Sequence, residues 1–256
     1  MSAPFSRPYT VPLTISGGDQ TLDTASISER LRGIRERIGS ALERAGRPAG
    51  SVRLLAVTKG FPAETVRAAM SLGLEEFGEN RVQEAEAKIP AVGPGPRWHL
   101  IGHLQTNKAK RAAALFAEIH SVDSERLAEA LARHAREAGR DIPVWVEVNA
   151  SGDASKYGAS PDAVPALLER IRGLEGIRPI GLMTIGPVEG GADGARAAFR
   201  LTRTLRDRAV AAGTLPEGSG LSMGMTDDFE IAIEEGATVV RIGSALFGPR
   251  GADPAA

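Results

Sequence analysis

Val52-Arg53-Leu54-Leu55-Ala56-Val57-Thr58-Lys59-Gly60 is a compact apolar run that closes on a threonine, a lysine and a glycine. Directly after it, Val66, Ala69 and Met70 recur at helical spacing until Gly73, so the stretch predicts one strand followed by one helix. The same alternation continues outward along the chain. Glu75 to Glu79 precedes a helix from Arg81, Trp98 to His103 a helix from Thr106, and Glu118 to Val122 a helix from Ser124. Pro143 to Val148 is followed by a helix from Pro161, Arg178 to Ile185 by a long helix from Ala192, and Gly220 to Met223 by a helix from Thr226, before a last strand, Thr238 to Ile242. Strands alternating with helices, with no break in composition, argue for parallel pairing and right-handed crossovers. Eight such units in 256 residues predict an α/β fold of the (β/α)8 TIM-barrel type. Ahead of them, Ile27, Leu31, Ile34, Ile38 and Leu42 line one face of an extra N-terminal helix. The second strand, short and acidic, and the seventh, rich in glycine, are the weak points; if either failed, an open sheet would replace the barrel.

The expected organisation is a single barrel domain over residues 25–250, an N-terminal tail over 1–24 that carries Pro4, Pro8, Pro12, Gly17 and Gly18, and a C-terminal tail over 251–256. Gly190 to Gly194 reads as a flexible loop. With 42% hydrophobic and 25% charged residues the chain has the balance of a globular protein with a sizeable core, so extensive disorder is not expected. The 31 Lys and Arg against 32 Asp and Glu leave a net charge of -1, which gives no global field toward nucleic acid or an anionic membrane. A bound phosphate must then be recognised locally. The absence of cysteine excludes disulfides, thiolate metal ligands and a cysteine nucleophile, and fits a cytoplasmic setting. No apolar stretch approaches the roughly 18 residues of a membrane helix.

In a barrel the site forms at the C-terminal ends of the strands. Those ends carry Lys59, Asn80, His103, Asp123, Asn149, Met183, Ser222 with Gly224, and Arg241 to Ser244. Side chains alternate along a strand, so Leu55, Val57 and Lys59 face the same way, into the mouth. A lysine partly desolvated beside a second cation becomes a nucleophile for an aldehyde; a strand-end lysine whose charge simply reaches water fits the same position. Arg241 lies within an apolar strand and needs a buried partner. Gly243 and Ser244, with Ser222 and Gly224 on the preceding strand, offer N–H groups and hydroxyls suited to a phosphate, or merely permit tight turns. Asn80 is placed either to cap the helix from Arg81, with Gln83 completing a capping box, or to touch a ligand. His103 has no second histidine or carboxylate at metal spacing, so no metal site is expected. Asp227 and Asp228 read as charges offsetting a helix dipole, and Lys108, Lys110 and Arg111 as a solvated face.

The segments Leu54 to Lys59, Phe77-Gly78-Glu79-Asn80-Arg81-Val82-Gln83-Glu84 and Trp98 to Lys108 resemble signature segments of the pyridoxal phosphate homeostasis protein family. Gly181 to Ile185, Leu221-Ser222-Met223-Gly224-Met225 and Val240 to Gly248 do so too, in the same order. The resemblance implies a barrel like the N-terminal domain of alanine racemase, holding pyridoxal 5'-phosphate (PLP) as an internal aldimine on Lys59. It also implies phosphate contacts at Ser222, Gly224, Gly243 and Ser244, Arg241 beside the pyridine nitrogen, and Asn80, His103 and Met183 in the pocket. Ser244 stands where threonine is common in the family, and the N-terminal tail is longer than usual.

PLP chemistry at an amino acid Cα needs an electron sink and a nearby acid or base. An arginine at the pyridine nitrogen disfavours ring protonation, and the second β domain that supplies a tyrosine base in racemases of this fold has no counterpart here. The only tyrosines are Tyr9 and Tyr157. Together with these features, the resemblance implies reversible PLP binding in vitamin B6 homeostasis, with PLP-dependent apoenzymes as candidate recipients, in a cytoplasmic monomer or homodimer. A weak PLP-dependent racemase and a Schiff-base aldolase acting on a sugar phosphate are the alternatives.

Overall fold

The computed structural model describes residues 24–153, 156–187 and 189–249. The expected tails therefore lie outside the described residues, apart from Thr24. The order is α1 (Thr24–Arg44), β1 (Arg53–Val57), α2 (Ala63–Ser71), β2 (Glu76–Glu79), α3 (Val82–Val92), β3 (Arg97–Leu100) and α4 (Ala109–Leu115), the last preceded by a 3-10 turn. Then come β4 (Glu118–Val122), α5 (Glu125–Glu137), β5 (Ile142–Val148), α6 (Val164–Arg172), β6 (Ile177–Thr184), α7 (Gly191–Ala211), β7 (Gly220–Ser222), α8 (Phe229–Glu234), β8 (Val239–Ile242) and α9 (Ser244–Phe247). Every strand pairs in parallel with the next, and β8 closes on β1 with Leu55 opposite Arg241. The open sheet is thereby excluded.

Outward-facing Leu54 and Ala56 join the apolar layer between strands and helices, while inward-facing Leu55 and Val57 pack inside the barrel with Ile101, Trp145, Met183 and Val239. This is the alternation expected of a strand. The added helix α1 buries Ile27, Leu31, Ile34, Ala41 and Leu42 and is tied to α8 by Arg37–Glu230 (3.0 Å) and Arg44–Glu234 (3.0 Å).

Both weak strands have a physical explanation. A Cβ on Gly220 would lie 2.7 Å from the ring of Trp145, and one on Gly181 of β6 would lie 2.6 Å from it. The glycines of strands six and seven are thus the seat of the indole that fills the barrel. The acidic β2 is compensated: Glu76 accepts from Arg53 (2.9 Å), and buried Glu79 from Thr58 and Lys88 (2.7 Å each). Two local expectations are corrected. Gly191 to Gly194 form the first turn of α7 behind Gly190, whose φ is +94°, instead of a loop. Asn80 caps no helix, because Arg81 occupies the cap position of α3 and makes no side-chain capping bond.

Candidate functional site

At the C-terminal ends of the strands lies a cavity of about 420 Å³. Lys59, Asn80, His103, Arg241, Gly243 and Ser244 line it, joined by Glu147, Tyr157, Thr226 and Asp227 over an apolar wall that includes Val57, Phe61 and Ile101. A broader hollow, about 520 Å³, lies at the opposite end between α1 and the start of β1, remote from these residues. Three of the expected site residues stand back from the mouth cavity. Met183 is fully buried in the barrel interior, Ser222 is fully buried against Arg241, and Gly224 backs onto α8, where a Cβ would lie 2.6 Å from that of Ala232. Gly224, with φ of +94°, also accepts the Arg241 backbone N–H (2.9 Å).

Lys59 is half-buried, and both of its neighbours are fixed from outside the barrel. Lys88 of α3 donates to the Thr58 carbonyl (2.7 Å), Glu79 (2.7 Å) and Glu84 (2.8 Å), and Glu84 in turn accepts the Gly60 N–H (2.6 Å). Burial pushes the Glu79 carboxyl up, against the opposing pull of Lys88 and Thr58.

Arg241 finds its partners in carbonyls. Its Nη1 donates to the Ser222 carbonyl (2.6 Å) and hydroxyl (3.0 Å), and Nη2 to the Thr184 carbonyl (2.9 Å). Burial lowers its pKa to about 10, with Glu147 and Asp228 opposing, so it remains a cation at neutral pH. Behind Ser222, His120 Nδ1 lies 2.9 Å from the hydroxyl and His120 Nε2 lies 3.1 Å from His99 Nδ1. Both ring nitrogens of that pair are 3.5 Å from Glu118. These three donors lie within 4.8 Å of one another, so the structure brings together a set with metal-ligating chemistry that sequence spacing around His103 did not disclose. The strand periodicity gives the face each residue occupies; the contact itself depends on the register in which β3 and β4 pair, with His99 opposite Glu118.

Glu147 was missed as well. It is 5% exposed, its Oε2 has no hydrogen-bond partner among the described residues, and burial, reinforced by Asp123, pushes its carboxyl up to about 7. A carboxylate on the inward side of β5, two residues after Trp145, was the sequence feature that could have revealed it. His103 sits 3.4 Å from Asp123 and stacks on Tyr157, with ring centroids 3.7 Å apart at 11°. Tyr157, although 60% exposed, is thereby part of the lip. Asp228 accepts the Met225 N–H (2.6 Å) in the turn that brings Thr226 within 3.2 Å of Ser244, while Asp227 faces the cavity.

The residues present fit PLP. A half-buried amine, a buried guanidinium on the neighbouring strand, and two converging segments, Thr226 after β7 and Gly243 with Ser244 after β8, line one cavity of ligand size.

Residues 30–251 match the family model for the alanine racemase N-terminal domain. The pyridoxal phosphate homeostasis protein of Aquifex aeolicus is 42% identical over 87% of this chain and 97% of its own. PipY of Synechococcus elongatus, solved with PLP bound, is 39% identical, covers 87% of this chain and 100% of its own, and superposes with a TM-score of 0.75. An alanine racemase of Clostridium difficile, 15% identical, shares the fold with a TM-score of 0.72, over 90% of this chain and 58% of its own. The chain belongs to the pyridoxal phosphate homeostasis protein family, within the alanine racemase N-terminal domain fold.

Proposed function

We propose that this chain binds PLP reversibly on Lys59 and serves to hold and release the cofactor in the cytoplasm, with apoenzymes that use PLP as recipients. The observation that carries this is the placement of the half-buried Lys59 and the buried Arg241 on adjoining strands of one cavity. The aldehyde of PLP supplies the condensing group for a lysine amine. Arg241 offers its remaining N–H groups to the ring. Gly243 and Ser244 after β8, with Thr226 after β7, offer backbone and hydroxyls to the phosphate, and Asn80 and His103 line the same cavity.

The carrier reading is favoured over catalysis by Arg241. A group that stays cationic at neutral pH discourages protonation of a ring nitrogen beside it, and so weakens the electron sink on which Cα chemistry depends. A weak racemase is the second reading, because Tyr157 and Glu147 place two proton-bearing groups in the mouth. Incubation of the loaded protein with α-deuterated amino acids separates the two. Exchange that vanishes in Lys59→Ala favours the racemase; no exchange favours the carrier. The cofactor assignment itself is tested by titrating protein purified without ligand with PLP, then borohydride reduction and peptide mapping. A new visible band and a modified Lys59 peptide are expected; a titration that produces neither defeats the assignment.

A further inference from the structure

The proton order around Ser222 follows from the groups on either side. Arginine has donors only, so the Ser222 hydroxyl must accept from Arg241 Nη1 at 3.0 Å. A second lone pair remains on the hydroxyl, so its 2.9 Å contact with His120 Nδ1 can run either way by tautomer; donation from the hydroxyl is the direction that leaves its own buried proton paired. That direction puts His120 in the Nε2–H form, aimed at His99 Nδ1 (3.1 Å) with Glu118 3.5 Å away. Burial keeps both imidazoles neutral at pH 7, with His120 lowered to about 4 and His99 to about 3. Glu118, in contrast, stays ionised, since the two histidines and Arg53 together outweigh its burial. It also accepts from Trp145 (3.0 Å), Arg53 (3.3 Å) and Arg97 (3.2 Å). With that proton order, hydrogen bonds run one way through the barrel interior from the arginine at the mouth through Ser222 to the histidine pair, which lies against the Glu118 carboxylate near the opposite end.

We infer that His120, backed by Glu118, is a positioning residue that acts through Ser222 to hold the Arg241 guanidinium, and thereby sets how tightly the mouth retains PLP. The inference rests on the proposed PLP site and on Arg241 facing the ring. Both Nη1 protons and one Nη2 proton of Arg241 are taken by Ser222 and Thr184, which leaves the others for the cavity it lines. Without the His120 acceptor, the buried hydroxyl proton is orphaned and the hydroxyl turns, so Arg241 loses a fixed support. The same histidines and Glu118 could ring a cation. Against that stand Arg53 and Arg97 on Glu118, which present positive charge to any dication there.

The test compares PLP dissociation constants, and the pH dependence of the visible absorbance of bound PLP, for the wild type, His120→Leu, His120→Asn, Ser222→Ala and the Ser222→Ala/His120→Leu double variant. Asparagine keeps an acceptor near the place of Nδ1, whereas leucine removes it. The expected result is a weakening of about ten- to a hundredfold in His120→Leu with a displaced pH midpoint. His120→Asn should stay within roughly threefold of wild type, Ser222→Ala should match His120→Leu, and the double variant should be no weaker than either single one. If His120→Leu fails to fold, Ser222→Ala and His120→Asn decide the matter between them. Equal loss in His120→Asn and His120→Leu at matched thermal stability, additive losses in the double variant, or unchanged affinity in Ser222→Ala each overturn the inference. So does one zinc per chain that is lost in His99→Ala. Failure of the parent proposal looks different: the wild type itself then takes up no PLP, and both fall together.

Discussion

The two cations on neighbouring strands are secured in opposite ways. Around Lys59 the support is ionic and lies outside the barrel: Lys88 grips Glu79 and Glu84, and through them the backbone at Thr58 and Gly60. Around Arg241 it is neutral and lies inside, made of carbonyls, a hydroxyl and uncharged imidazoles. The difference follows from what must be fixed. A lysine that condenses with an aldehyde needs a held backbone and a mobile amine, whereas an arginine that faces a ring needs its planar head held. An ion pair close to Arg241 would partly neutralise the charge it offers; carbonyl dipoles orient it without doing so.

Breaking the ionic brace should have the largest effect. Lys88→Met leaves Glu79 buried without its cation and frees Glu84 from its partner, which costs about 3–5 kcal/mol in folding stability. Urea unfolding measures this. A loss below about 1 kcal/mol would mean that Glu79 takes up a proton at little cost, and that the brace is dispensable.

The next effect is read by pH within the Arg241 side, where a carboxyl and two imidazoles titrate in opposite senses. The Glu147 pKa of about 7 lies above its ordinary 4.5, so between those values the folded state binds more protons than the unfolded one. Stability from this group is complete below about pH 4.5 and declines as pH rises toward 7, by up to about 3 kcal/mol. His120 and His99 act in the reverse sense: their pKa values fall below 6.5, so their contribution is present above 6.5 and is lost as pH falls toward 4 and 3. In Glu147→Gln the first slope disappears and the second stays. Parallel stability curves for wild type and variant between pH 4.5 and 7 would remove Glu147 from the titrating groups of the mouth.

How far these regions could be read from sequence differs for the same physical reason. Leu55, Val57 and Lys59 belong to one strand, and local alternation suffices to aim them together. Arg241 could be recognised as a buried charge needing partners, but its partners come from β6 and β7, and the supporting histidines from β3 and β4. No periodicity within a segment specifies such neighbours. The third strand illustrates the limit at element ends: the apolar run to His103 suggests six residues, yet β3 stops at Leu100. Gly102 has to pass against the backbone of Asn80, in a space that would not admit a Cβ, so the chain leaves the sheet there. Ser222 was legible as a polar strand end, but not that its hydroxyl was already committed to Arg241 and His120.

Exchanging the arginine head tests the neutral side directly. Arg241→Lys keeps a charge but cannot reach the Ser222 and Thr184 carbonyls in the same plane, so about 1–3 kcal/mol of stability should go, from carbonyls left short of donors. PLP affinity should fall with it. Lysine supporting wild-type affinity would show that charge alone is required at this position, and would erase the contrast between the two cations.

The smallest effect is expected at the lip. Tyr157 is mostly exposed and holds to the barrel through its stack on His103, while Asn149 pins the same loop by donating to the Asp153 carbonyl (2.7 Å) and the Lys156 carbonyl (3.3 Å). Removing the ring in Tyr157→Ala therefore loses one aromatic contact worth about 0.5–1.5 kcal/mol and leaves the loop in place. Thermal stability should fall by roughly 1–6 °C, the shift that such a contact carries in a chain of this size. PLP should dissociate several-fold faster, since the stacked pair covers one side of the mouth, while its association rate stays nearly constant. If dissociation is unaffected while His103→Ala accelerates it, the imidazole alone forms that wall, and the tyrosine belongs to the surface instead of the site.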